Sequence, residues 1–324
     1  MKTFFKTLKY LGFLFLAVFI GAFVYLKFVL PNAEPAPEIT IQLTDERIKR
    51  GEYLANHVTV CMDCHSTRDW SYFAGPVSAG KLGGGGELFG REMGFPGNYY
   101  SKNITPFAIK DWTDGEIFRA ITTGVSRDGS ALFPVMPYTS YGQMDKEDIY
   151  SIIAYLRTLE PLESIVPSAE RDFPVNLLIN TMPTKSVSLS IPDTNDMVKY
   201  GQYLVVSASC VECHSQMDKG AKIPGTEFGG GMEFKFPGSM VRSANITPDI
   251  ETGIGTWTEE MFLGRFKTFS DSTYRPQKIE NGTMNTPMPW QMYAGMKESD
   301  LKAIFSYLKT LKPMSHKVEK FTKL

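Results

Sequence analysis

The hydrophobic pattern divides the chain into three parts. Near the start an apolar run extends from Tyr10 to Leu26 and continues past a single Lys27 through Phe28 to Leu30, 21 residues in all. At about 1.5 Å per helical residue this is about 30 Å, the thickness of a bilayer's hydrocarbon core. Lys27 can lay its stem in the apolar zone with its charge at the interface, and Lys2, Lys6 and Lys9 favour an N-terminus on the inner side. Beyond this run the periodicity is that of amphipathic helices. Ile48, Gly51, Leu54 and Ala55 share one face, with Thr44 as its cap and Asp45 and Glu46 at its positive end. Ile149, Ile152, Ile153, Leu156 and Leu159 form a stripe, and Leu301, Ile304, Phe305, Leu308 and Leu311 form the same stripe again. The spacing predicts a mainly α fold with loop-rich sequence between helices, including glycine runs at Gly83–Gly86 and Gly229–Gly231.

The second stripe belongs to a longer repeat. Gly51-Glu52-Tyr53-Leu54 returns as Gly201-Gln202-Tyr203-Leu204 at an offset of 150. Asn103-Ile104-Thr105-Pro106 returns as Asn245-Ile246-Thr247-Pro248 at 142, Trp112-Thr113 as Trp257-Thr258 at 145, and Tyr155–Leu159 as Tyr307–Leu311 at 152. Copies of this size can each enclose a core, so this is one domain duplicated. Gly51 and Gly201 sit inside predicted helices, where glycine costs about 1 kcal/mol against alanine. A close helix crossing would explain both.

Each copy carries one chemical motif. Cys61-Met62-Asp63-Cys64-His65 returns as Cys210-Val211-Glu212-Cys213-His214, and these are the chain's four cysteines. C-x-x-C-H is the attachment signature of c-type haem, with two thioether bonds and the histidine as proximal iron ligand. A zinc site made from all four cysteines would leave both histidines idle and join pairs about 150 residues apart, unlike a compact zinc module. Two covalent haems are expected, and their macrocycles would add apolar mass to two small cores.

The sixth ligand must come from elsewhere. Of four histidines two are proximal; His57 reads as structural or solvated, His316 as exposed in the basic tail, and neither has a counterpart in the other copy. Met136-Pro137-Tyr138 aligns with Met288-Pro289-Trp290, placing a methionine 71 and 74 residues after the two histidines. A thioether favours reduced iron, and the following proline holds the methionine extended. Met136 and Met288 are therefore the expected ligands. Of the 16 methionines, Met284, Met292 and Met296 are rivals of Met288. Met144 and Met296 form a second matched pair, but Met144 precedes a helix cap at Asp145 and suits packing on Ile149. The segments around Pro76 and Pro224 are candidates for the carbonyl that accepts the proximal imidazole N–H. Arg68, Asn103, Asn245, Trp112 and Trp257 are candidates for holding propionates, with ordinary turn and core chemistry as the alternative.

The run Asn245-Ile-Thr-Pro-Asp-Ile-Glu-Thr-Gly-Ile-Gly-Thr-Trp-Thr258 resembles the multihaem cytochrome c subunits of membrane-bound alcohol and gluconate dehydrogenases. So does Gly124 through Asp128-Gly129-Ser130 to Met136-Pro137-Tyr138. The resemblance covers roughly residues 45 to 315 and implies two tandem class I-like cytochrome c domains, each with a His/Met haem, after an N-terminal transmembrane helix. Those subunits carry three haem domains where this chain has two, so the donor enzyme does not follow from the resemblance.

The expected organisation is an anchor at 1–30, a stalk at 31–44, haem domains at 45–160 and 195–315, a proline-rich linker at 161–194 and a basic tail at 316–324. The apolar stretch Phe173 to Ile179 suggests a linker wrapped along a domain surface. The tail lysines read as a solvated face, with docking to an acidic partner or lipid headgroups as the alternative. A cleaved secretory signal competes with the anchor, but Pro31-Asn32-Ala33 puts proline where a small residue is wanted, and the apolar run exceeds an ordinary signal core. The expected location is a bacterial inner membrane with the haem domains on the periplasmic side.

A net charge of −1 argues against a nucleic-acid partner. Three functions compete. The first is a membrane-tethered carrier of single electrons, with a dehydrogenase or quinol-oxidising complex as donor and a cytochrome or terminal oxidase as acceptor. The second is a dihaem peroxidase, which needs an opening iron site with acid–base groups beside it. The third is a gas sensor with five-coordinate iron. The matched methionines favour the first.

Overall fold

The computed structural model describes residues 1–218 and 220–324. The chain begins with α1 (Lys2–Val24), which continues through one wider turn to Val29. This helix is long and apolar enough to cross a membrane, and none of its residues is buried against the rest of the chain.

The first repeat opens with α2 (Asp45–Tyr53). Thr44 Oγ1 accepts the Arg47 N–H at 3.3 Å, the expected cap. A wide turn at Leu54–Val58 extends the helix, and the attachment motif follows as the single turn α3 (Cys61–Cys64). After it come strands β1 (Leu88–Phe89) and β2 (Gly97–Tyr100), then α4 (Pro106–Ile109), α5 (Asp114–Thr123), α6 (Tyr138–Tyr141) and α7 (Lys146–Thr158). The connecting segment contains β3 (Glu170–Arg171) and α8 (Val175–Leu178). The second repeat has α9 (Met197–Ser207), α10 (Cys210–Cys213), the hairpin β4 (Met217–Asp218) and β5 (Ala221–Lys222), and strands β6 (Glu233–Phe236) and β7 (Ser239–Arg242). It closes with α11 (Glu259–Lys267), α12 (Trp290–Tyr293), α13 (Glu298–Leu308) and β8 (Phe321–Lys323).

In each repeat the first and last long helices cross at the expected glycine. A Cβ on Gly51 would lie 1.8 Å from the Ser151 carbonyl oxygen, and one on Gly201 would lie 1.9 Å from that of Ala303. Only glycine lets α2 meet α7, and α9 meet α13, this closely. The stripes from Ile149 and from Leu301 line the core beside Leu54, Ala55 and Leu204.

The stalk and the tail are more tightly held than the sequence suggested, while the linker lies along a domain surface as the sequence suggested. The stalk docks on α5: Ile41 is buried and its N–H donates to Asp114 Oδ2 at 2.8 Å. The linker runs along the first repeat. β3 pairs antiparallel with β2, and the Val187 and Leu189 N–H groups donate to the Gly142 and Gln143 carbonyls at 2.9 and 3.1 Å. The tail adds β8 to the edge of β7, with Met240 opposite Thr322. His316 is half-buried rather than exposed, its Nδ1 bonded to the Gly229 carbonyl at 2.9 Å.

The repeats face one another through related surfaces. Tyr53 Oη donates to Asp300 Oδ2 at 2.6 Å, and Tyr203 Oη donates to Asp148 Oδ2 at 2.6 Å. His57 is an inter-repeat contact, its Nδ1 bonded to the Met292 carbonyl at 2.8 Å. Gly295 leaves room for that ring, since a Cβ there would come within 2.2 Å of it.

Candidate functional site

One helical turn puts Cys61 and Cys64, three residues apart, on the same side, and α10 does the same for Cys210 and Cys213. The residue before each turn is left-handed, Val60 at φ 47° and Ser209 at φ 53°. For a β-branched valine this is a strained conformation, of the kind that persists only when its surroundings fix it. A tyrosine does so in both repeats. Tyr141 Oη donates to the Thr59 carbonyl at 2.8 Å, and Tyr293 Oη donates to the Ala208 carbonyl at 3.0 Å. These tyrosines lie five residues beyond Met136 and Met288, so each methionine segment is tied to the attachment turn of its own repeat.

Both histidines are oriented the same way. His65 Nδ1 is bonded to the Lys102 carbonyl at 2.7 Å, and His214 Nδ1 to the Ala244 carbonyl at 2.7 Å. With Nδ1 as the donor, Nε2 keeps its lone pair for a metal. Burial lowers the pKa of each ring, outweighing the opposing effect of the carbonyl, so both favour the neutral form that binds iron. The accepting carbonyls are not those near Pro76 and Pro224, as the sequence had suggested; the Pro76 carbonyl is taken by the Asp69 N–H. They belong to the residues preceding the repeated Asn-Ile-Thr-Pro.

That repeat explains the placement. Asn103 Oδ1 accepts the Thr105 N–H and hydroxyl at 2.9 and 2.7 Å, and Nδ2 donates to the Leu162 carbonyl at 2.8 Å. Asn245 repeats the pattern with Thr247 at 2.9 and 2.8 Å and donates to the Met314 carbonyl at 2.8 Å. Both asparagines are buried and occupied as turn locks, which corrects their reading as propionate holders. Arg68 is likewise engaged: it pairs with Asp63 at 2.7 Å and donates to the Ala74 and Gly75 carbonyls, both at 2.8 Å. Its side chain is only 5% exposed. Trp112 and Trp257 stay half-buried against the core.

Met136 and Met288 are also half-buried there, whereas their rivals Met144 and Met296 are each 1% exposed, inside the core. Met284 is 47% exposed.

These residues fit a covalently held haem. The four thiols form no disulfide, and burial pushes all of them up, so none is a ready-made thiolate centre. No group of three or more His, Cys, Asp or Glu side chains gathers as a metal cluster among the described residues. Cys61, Cys64, His65 and His214 are half-buried. Two buried hydroxyls beside the motifs, Tyr138 next to Met136-Pro137 and Ser209 before Cys210, have no partner among the described residues. Buried polar groups rarely stay unpaired in a finished interior.

Residues 198–312 match the family model described as Cytochrome c. The chain is 27% identical over 86% of its length to the fructose dehydrogenase cytochrome subunit of Gluconobacter japonicus, of which it covers 56%. It is 26% identical over 82% of its length to the cytochrome c subunit of the quinone alcohol dehydrogenase of Gluconacetobacter polyoxogenes, again covering 56% of that protein. A protein named "Diheme cytochrome c-type" from Cereibacter sphaeroides is 26% identical over 84% of this chain, which covers 88% of it. The chain thus spans a little over half the length of the dehydrogenase subunits it matches. It resembles the cytochrome c subunits of such dehydrogenases, which is the resemblance read from its motifs.

Proposed function

We propose that this chain is a membrane-tethered dihaem cytochrome c. It takes single electrons from a dehydrogenase or quinol-oxidising complex and delivers them to a respiratory cytochrome or terminal oxidase. The observation that carries this reading is the identical construction of the two sites, each with its imidazole Nδ1 bonded to a backbone carbonyl at 2.7 Å.

Cys61 and Cys64 would hold one haem and Cys210 and Cys213 the other, with His65 and Met136, and His214 and Met288, as the residues that would bind iron. The haem iron supplies the one-electron chemistry. The protein orients the imidazoles through the Lys102 and Ala244 carbonyls, keeps them neutral by burial, and shields the attachment turns beneath Tyr141 and Tyr293. Methionine ligation leaves neither iron open, as suits a carrier better than a peroxidase or gas sensor. His57 and His316 are each bonded through Nδ1 to a backbone carbonyl, of Met292 and Gly229, and neither has a counterpart in the other repeat. The apolar α1 serves as the tether, with the haem-bearing body on the periplasmic side.

The test is haem content. The purified chain should carry two covalent haems, the double variant C210A/C213A should carry one, and the reduced native protein should not bind carbon monoxide. One haem in the native chain, or ready carbon monoxide binding, would overturn the reading. Gentle solubilisation of native membranes and mass spectrometry of what comes with the chain would identify donor and acceptor.

A further inference from the structure

Between α11 and Met288 the second repeat is longer than the first: the offset grows from 145 at Trp112/Trp257 to 152 at Met136/Met288, an insertion of seven residues. This longer segment closes over a loop of the first repeat just beyond His65. The Phe73 N–H donates to the Gln277 carbonyl at 2.8 Å, and the Ile279 N–H donates to the Ser71 carbonyl at 2.7 Å. Phe73 stacks on Phe269 at 6.3 Å between centroids, and Phe269 stacks on Trp290 at 5.1 Å, two residues past Met288.

Asn285 sits at the centre of this contact and is 2% exposed. Its Oδ1 accepts two N–H groups, from Ala74 of the first repeat at 2.9 Å and from Thr286 at 2.8 Å. Thr286 Oγ1 in turn accepts the Met288 N–H at 3.1 Å. On the other side the Ala74 carbonyl accepts from Arg68, which pairs with Asp63 between the first two cysteines. An unbroken chain of polar contacts therefore runs from the first attachment turn to the backbone of Met288. Met136 has no such dependence, since its N–H donates to the Phe133 carbonyl of its own repeat at 3.3 Å.

Building on the methionine assignment above, we propose that Asn285 is a positioning residue for the axial Met288, and that the loop at 69–77 of the first repeat holds the second haem's sixth ligand in place. The two haem sites are thereby coupled mechanically. The carbonyl oxygen of Asn285 receives both N–H groups, and its Nδ2 donates more weakly to the Trp70 carbonyl of the same loop at 3.4 Å.

The experiment uses the full haem-loaded chain in detergent, reduced and titrated with carbon monoxide. M288A is the reference and should bind carbon monoxide at half of the haem. N285A should bind at the same half with the same optical change, and the double variant N285A/M288A should still bind at only half. N285D keeps the oxygen that accepts both N–H groups but loses the donor to Trp70, so it should open less than N285A. Should N285A fail to fold, F73A, which removes the stack from the first-repeat side, decides: carbon monoxide uptake at half the haem supports the proposal and none overturns it. If M288A binds carbon monoxide while a folded N285A does not, or if N285D opens as far as N285A, the positioning role is wrong. If M288A itself stays closed, the ligand assignment fails instead.

Discussion

Tyr53 donates its hydroxyl across the interface to Asp300 at 2.6 Å, and the related bond from Tyr203 to Asp148 has the same length. The two bonds are not equivalent. Asp148 also receives Nε and Nη2 of Arg50 at 2.8 and 2.9 Å, while Asp300, with tyrosine at the related position 200, has among the described residues only the Ser299 hydroxyl in addition, at 3.1 Å. Y53F should therefore cost about 1.5–3 kcal/mol, the range for a hydrogen bond to a charged group. Y203F should cost less, about 1 kcal/mol, because Asp148 keeps its arginine. Denaturant unfolding of the haem-loaded protein would read the difference, and equal losses would refute the asymmetry.

The two pairs of matched methionines should behave in opposite ways. M136A and M288A should each open one iron to carbon monoxide with modest loss of stability. M144A and M296A remove side chains that are 1% exposed, so they should cost about 2–5 kcal/mol and leave both irons closed. Carbon monoxide binding by M144A or M296A would exchange the assignments.

G51A and G201A test the helix crossings. Alanine gains about 1 kcal/mol of helix propensity, but each new Cβ meets a carbonyl oxygen at 1.8 or 1.9 Å. Pushing the helices apart costs about 1–3 kcal/mol or more, so both variants should melt at lower temperature and retain less haem. A raised melting temperature would mean that the crossing has slack.

Exchanging residues 2–24 for a cleavable secretory signal should release the protein from membranes with both haem spectra unchanged, since α1 buries nothing against the body. Membrane fractionation after cell disruption reads this directly. A processed chain that stayed membrane-bound would show that another surface carries the attachment.

The sequence made legible whatever repeats. The two motifs, the glycine crossings, the Thr44 cap and the core positions of Met144 and Ile149 could all be read because each obeys a local rule or appears twice. The carbonyls of Lys102 and Ala244 were missed because a backbone acceptor has no side-chain signature. The available signal was the repeated Asn-Ile-Thr-Pro directly after them, whose asparagines were open to two readings, a propionate site or ordinary turn chemistry. The Asn285 contact had no signal of this kind, since residues 269–287 have a shorter counterpart in the first repeat and Asn285's partners Ala74 and Trp70 are 211 and 215 positions away. The same holds for His57 and His316, whose carbonyl partners depend on how distant segments meet.

The docking of the stalk sets the working distance of the whole molecule. Only about seven residues separate the end of α1 at Val29 from Pro37, whose carbonyl lies against Gly115 where a Cβ would come within 1.8 Å. At about 3.5 Å per residue the leash reaches about 25 Å when fully extended, and Asn180 shortens it further by donating to the Leu26 carbonyl at 3.0 Å. With α1 in a bilayer, the body has little freedom to rise or swing. It would sweep a thin layer over the lipid surface, trading electrons with centres held at that height, and a soluble partner would have to descend to meet it.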